Sequence, residues 1–142
     1  MLAILPVLAL AVAAPNPDVM KLDVRDAHVA PRAAGGSVGV SMLITNPTSS
    51  TLILVGATSP LAGETALQRY VKDAQGLIQV APVNSLPLPA HSDTVLAPGA
   101  VELQLIGLTT ELQAGLELPL TLKFADGTKR VLRVEVEGDD HE

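Results

Sequence analysis

The chain has 142 residues and 48% hydrophobic content, enough for one globular domain with one core. Its formal net charge is -6 and only Tyr70 and Phe124 are aromatic, which excludes a nucleic-acid surface built from a basic stripe with stacking rings. It contains no Cys, which excludes disulfides, thiolate metal sites, a Cys nucleophile and a lipobox anchor.

The first residues, MLAILPVLALAVAAPNP, are apolar and end in small residues and two prolines. Ala11, Val12 and Ala13 offer a small-x-small cleavage point, so residues 1–14 read as a secretory signal peptide cut near Ala13 or Ala14. No Lys or Arg precedes the apolar run, so the pattern is incomplete. The run is shorter than the roughly 20 residues of a comfortable transmembrane helix. Residues 15–138 then form one domain, and 139–142 an acidic tail.

After the leader, strand patterns recur at short intervals between Pro, Gly, Asn and Asp, which predicts an all-β sandwich or barrel. VMKLDV (19–24) is the expected first strand. APRAAGG (30–36) is a loop. SVGVSMLITN (37–46) alternates Val38, Val40, Met42 and Ile44 on one face. TLILVGA (51–57) follows the turn PTSS (47–50). TALQRYVK (65–72) alternates less cleanly, DAQG (73–76) turns the chain, and LIQVAPV (77–83) is the next strand. Pro87 and Pro89 confine Ser85–Pro89 to an edge or a loop. After DTVLAPG (93–99), VELQLIGL (101–108) sets Val101, Leu103 and Leu105 on one face and Glu102 and Gln104 on the other. TTELQAG (109–115) has room for one short helical turn. ELPLTLKF (117–124) puts Leu118, Leu120, Leu122 and Phe124 on one face. Asp126-Gly127 is a hairpin turn. RVLRVEVE (130–137) returns with Leu132, Val134 and Val136 inward and Arg133, Glu135 and Glu137 outward.

Several of these stretches, in this order, resemble the periplasmic copper chaperones of the PCuAC type. SMLITN (41–46) is similar to that family's strand ending in Thr-Asn. LVGATSPLAGET (54–65), LPLPAHSDTVLAPGAVELQLIGL (86–108) and LQAGLELPLTLKFADG (112–127) resemble successive later parts of its domain. The resemblance covers roughly Met20 to Val136. It implies a single-domain, cupredoxin-like β-sandwich. It also implies a periplasmic or secreted, non-enzymatic copper carrier that serves copper insertion into an oxidase. Its partner would be an oxidase assembly protein or a copper-receiving subunit.

The family binds copper through one His, a Met about a dozen positions on, and a His-x-Met pair. Carried over onto this sequence, the first His falls at Gln68 or Arg69 and the first Met at Val80. The His-x-Met pair falls at Glu102 and Gln104. None of the usual ligands is present, and Cu(I) prefers soft thioether and imidazole donors. No residue is therefore assigned a metal-ligating or other cofactor-binding role, and copper rests on resemblance alone. A metal-free β-domain that works by binding protein is the alternative.

The remaining candidates have plain readings. Glu102 and Gln104 are expected on a solvated strand face, with a hard-metal or retuned copper site as the alternative. His28 is expected packed or at the surface, His91 exposed in its turn, and Met42 in the core. Met20 lies near the mature start. Asp139, Asp140 and His141 are at most a loose divalent-metal tail. There is no Gly-x-Ser-x-Gly elbow, His-Glu-x-x-His pair or phosphate loop, so no catalytic residue is assigned.

Overall fold

The computed structural model describes residues 16–138. The expected signal peptide (1–14) and acidic tail (139–142) lie outside the described residues. A short helix, α1 (Pro17–Lys21), precedes ten strands: β1 (Asp23–Val29), β2 (Val38–Asn46), β3 (Leu52–Thr58), β4 (Ala62–Lys72) and β5 (Ile78–Pro82), then β6 (Leu86–Leu88), β7 (Ser92–Leu96), β8 (Glu102–Leu108), β9 (Glu117–Phe124) and β10 (Lys129–Val136). The hydrogen-bonded order is β5-β4-β8-β2-β1-β10-β9-β3-β6, with β7 also on β2. The path folds over, because Leu67 of β4, next to one end, and Leu86 and Leu88 of β6, at the other, belong to one apolar cluster. This is the all-β, cupredoxin-like arrangement that the sequence predicted.

The period-two readings hold. β2 alternates buried and half-buried along its whole length, starting at Val38. β9 buries Leu118, Leu120, Leu122 and Phe124, and β10 buries Leu132, Val134 and Val136. With two aromatics in the chain, this core is built from Leu, Val and Ile. Burying one such side chain favours folding by about 1.5–3 kcal/mol. β6 is an edge strand that contains Pro87, as the prolines required.

Two local readings need correction. Residues 17–21 are helical, which takes in the first half of the strand expected at 19–24. Pro17 has the fixed φ that suits a first helical position, and Asn16 caps the turn by accepting from the Asp18 amide at 3.0 Å. Arg130 then clamps the turn to β10 by donating to the carbonyls of Val19 and Leu22. Residues 109–115 form no helical turn; Leu112 instead bridges Arg32 in an isolated antiparallel pair.

Candidate functional site

β8 lies between β4 and β2, and that placement builds the site. In the β4–β8 ladder Gln68 is the direct partner of Glu102, and Ala66 of Gln104. In the β2–β8 ladder Gly39 is the partner of Gln104. Directly paired residues on antiparallel strands share a face. Gln68, Glu102, Gln104 and Gly39 therefore lie together on the face away from the core. The β4–β5 ladder pairs Tyr70 with Val80, two positions along from Gln68, so Val80 joins the same face. Arg69 pairs with Ala81 and projects to the opposite side. The register thus selects Gln68 over Arg69. It brings the four positions Gln68, Val80, Glu102 and Gln104 onto one surface.

Glu102 corrects the solvated-face reading. It is only 6% exposed, and Gln104 is half-buried. Gln104 Nε2 donates to Glu102 Oε2 at 3.0 Å. Gly39 makes room for that amide, since a Cβ there would stand 3.1 Å from Gln104 Nε2. Cover for the start of β8 comes from elsewhere in the chain. Ala97 and Pro98, and His28, Val29, Ala30 and Arg32, line the space beside it. Together they form a half-open cleft of about 270 Å³ whose polar lining includes His28, Arg32, Ser41, Glu102, Gln104 and Glu137.

A bulge aims His28 into this cleft. β1 slips register between Arg25 and His28, and Asp26 takes a φ of +55°. His28 Nδ1 lies 2.6 Å from the Asp26 carbonyl oxygen, and Nε2 lies 3.2 Å from Glu137 Oε1. Both ring nitrogens therefore face acceptors. His28 is half-exposed, as expected, but it belongs to the rim of a cleft rather than to open surface. His91 is exposed at a φ of +54°, Met42 is buried in the core, and Met20 is exposed. Asp139, Asp140 and His141 lie outside the described residues.

Sequence reading missed Arg32, Ser41 and Gly39 as parts of one site. A signal existed for Gly39: a glycine inside a strand pattern often marks close approach of another group. The chemistry of the surface is oxygen-rich. Glu102 supplies a carboxylate, and Gln104 and Gln68 supply amides. Val80 has no donor, and none of the four positions has the thioether or imidazole that Cu(I) prefers. Among the described residues, no group of three or more His, Asp or Glu side chains is placed to hold a metal ion.

A perturbed carboxyl lies elsewhere. Hydrogen bonds from the Thr128 backbone amide, then the Thr128 hydroxyl, then Asn16 hold the Asp126 carboxyl below its ordinary value. Asp126 sits in the β9–β10 turn, remote from Glu102 in the strand order.

The model of the family described as "Putative lipoprotein LpqE-like" matches residues 22–136. A protein of Leifsonia xyli subsp. xyli, also named as a lipoprotein (Lxx21020), is 37% identical over 94 residues. That match takes in 66% of this chain and 56% of the relative, so it spans a little over half of the relative's length. Among solved structures, CuI-DR1885 from Deinococcus radiodurans is similar with a TM-score of 0.64 and 26% identity, covering 92% of this chain and 85% of that one. The apo PCuAC domain from PmoF1 gives a TM-score of 0.67 at 22% identity, covering 83% and 94%, a likeness of fold.

Proposed function

Since this chain belongs to the LpqE-like family and has the PCuAC fold, we propose that it is a non-enzymatic copper-handling protein of the bacterial cell envelope. In this reading it is exported, periplasmic or held at the envelope surface, and it passes copper to an oxidase assembly protein or a copper-receiving subunit. One observation supports the reading above the rest: Gln68, Val80, Glu102 and Gln104 stand on one face, beside a half-open cleft. These are the positions where the resemblance puts the copper ligands.

The donor set changes the cargo's chemistry. A carboxylate and two amides are hard oxygen donors. They suit Cu(II) better than Cu(I). Glu102 provides the negative charge, while Gln104 fixes its orientation through the 3.0 Å hydrogen bond. Titration of residues 15–142 with Cu(II) and with Cu(I), each against a competing chelator, tests this. The proposal expects one Cu(II) bound per chain, weaker Cu(I) binding, and loss of the Cu(II) site in Glu102→Gln. Equal or tighter Cu(I) binding, or Cu(II) binding untouched by Glu102→Gln, overturns it.

A second reading, a metal-free domain that binds protein, draws on a specific observation as well. The hairpin that carries Val80 exposes a run of large apolar side chains.

A further inference from the structure

The two ends of the hydrogen-bonded path are built differently. β6, at one end, is three residues long, buries Leu86 and Leu88, and carries Pro87. These are the devices that blunt a sheet edge. β5, at the other end, has none of them before its last residue, Pro82. Its residues Ile78 and Val80 are 65% and 54% exposed. Leu77, just before it, is 64% exposed, and Tyr70 and Val71 on the paired strand β4 are also exposed. Tyr70, Ile78 and Val80 thus gather on one face of the hairpin, with Val71 and Leu77 exposed on the other, beside an unpaired strand edge. Monomeric proteins seldom leave such a patch uncovered unless something binds there.

Charge indicates what binds. On a chain of formal net charge -6, Arg69 and Lys72 stand beside this apolar run, and neither joins an ion pair among the described residues. Asp73, the acid of the hairpin, is already engaged: its Oδ1 accepts from the Gln75 and Leu77 amides, and its Oδ2 accepts from Gln79 Nε2. Lys72 is the direct partner of Ile78, and Arg69 of Ala81, each one strand in from the edge. Their long side chains have the reach to cross β5. The edge therefore combines free backbone groups, apolar contacts and two cations outside any ion pair among the described residues.

We infer that β5 is a docking edge for an extended strand of a partner protein, one that alternates apolar with acidic side chains. The partner strand would extend the sheet through backbone hydrogen bonds. Its apolar residues would cover Ile78, Val80 and Tyr70, and its carboxylates, on the other face of the added strand, would meet Arg69. The inference is independent of copper, and no copper enters its test.

The probe is a capped peptide of about eight residues that alternates Glu and Val, matched to the length of a typical strand. It is titrated into the 15N-labelled chain, residues 15–142. The expected result is saturable binding, with the largest amide shifts and new hydrogen-exchange protection at residues 77–82. Val80→Lys, an exposed change that puts a charge on the edge, abolishes it. Arg69→Glu weakens it by about tenfold or more and confers binding of the matching Lys-Val peptide. Equal binding of acidic and basic peptides by the parent chain overturns the inference, as does shift mapping to any other strand. A parent chain that sediments as a dimer and becomes monomeric in Val80→Lys also overturns it, assigning the edge to a second copy. Circular dichroism of each variant separates loss of binding from loss of fold.

Discussion

Gln68 on β4 stands directly opposite Glu102 on β8, on the face that turns away from the core. That pairing carries most of the functional argument. It decides which of two adjacent residues belongs to the site, and it places an amide across from a buried carboxylate.

The room for the Gln104 amide comes from Gly39. Gly39→Ala brings a Cβ to within 3.1 Å of Gln104 Nε2, and the flexible amide must give way. The stability change is expected to stay within about 1 kcal/mol, because the restriction of the unfolded chain offsets the crowding. The Gln104 side-chain amide resonances should shift, and Cu(II) affinity should fall. Unshifted amide resonances would show that Gly39 has no part in the site.

The core tolerates little loss of volume. Leu105 is fully buried on β8 among other leucines. Leu105→Ala is expected to cost about 2–5 kcal/mol, read from urea denaturation. Leu77→Ala, at an exposed position, should change stability by no more than about 0.5 kcal/mol. Similar costs at the two positions would contradict the assignment of faces.

Asn46 ties the end of β2 to its surroundings. Its Nδ2 donates to the carbonyls of Ser50 and Leu88 at 2.9 Å each, and its Oδ1 accepts from the Thr48 amide and hydroxyl. The side chain is almost fully buried. Asn46→Ala leaves the buried Leu88 carbonyl without this partner, and is expected to cost on the order of 2–3 kcal/mol. Hydrogen exchange should speed up first in β6 and at the Thr48 amide.

Acid should loosen the β9–β10 turn through Asp126. Its carboxyl is held below the ordinary value of 3.8 by hydrogen bonds that favour the ionised form. The stabilisation is therefore fully present above that value. It is lost as pH falls through the lower folded-state value. Asp126→Ala should unfold more easily than the parent near pH 6, with the difference shrinking as the pH falls below 3.8. A difference that stays constant with pH would mean that the charge has no part in it.

Much of the fold was legible because period-two alternation states which side of a strand is wet. Val38 to Ile44, Leu118 to Phe124 and Leu132 to Val136 each face the core as their spacing required. The Asp126-Gly127 turn was equally plain, and Gly127 takes the positive φ, +88°, that a glycine allows there. Glu102 was misread for a reason that spacing cannot express. Alternation separates the core face from the other face, but it does not say whether a distant segment covers the other face. Here residues 28–30, 32, 97 and 98 line the space beside it. The choice between Gln68 and Arg69 was likewise set by cross-strand register, which needs the partner strands in place. The α1 turn was hidden because VMKLDV alternates well enough for a strand, while its cap, Asn16, lies outside that stretch.

The measurement that bears most directly on the copper-handling account is paramagnetic line broadening by one equivalent of Cu(II). It would be read on the assigned amide spectrum of residues 15–142. The account predicts that signals from Gln68, Gly39 to Ser41 and Glu102 to Gln104 are bleached together, and that Glu102→Gln restores them. Broadening centred on His91 or on residues 138–142, with the β8 signals intact, would contradict it.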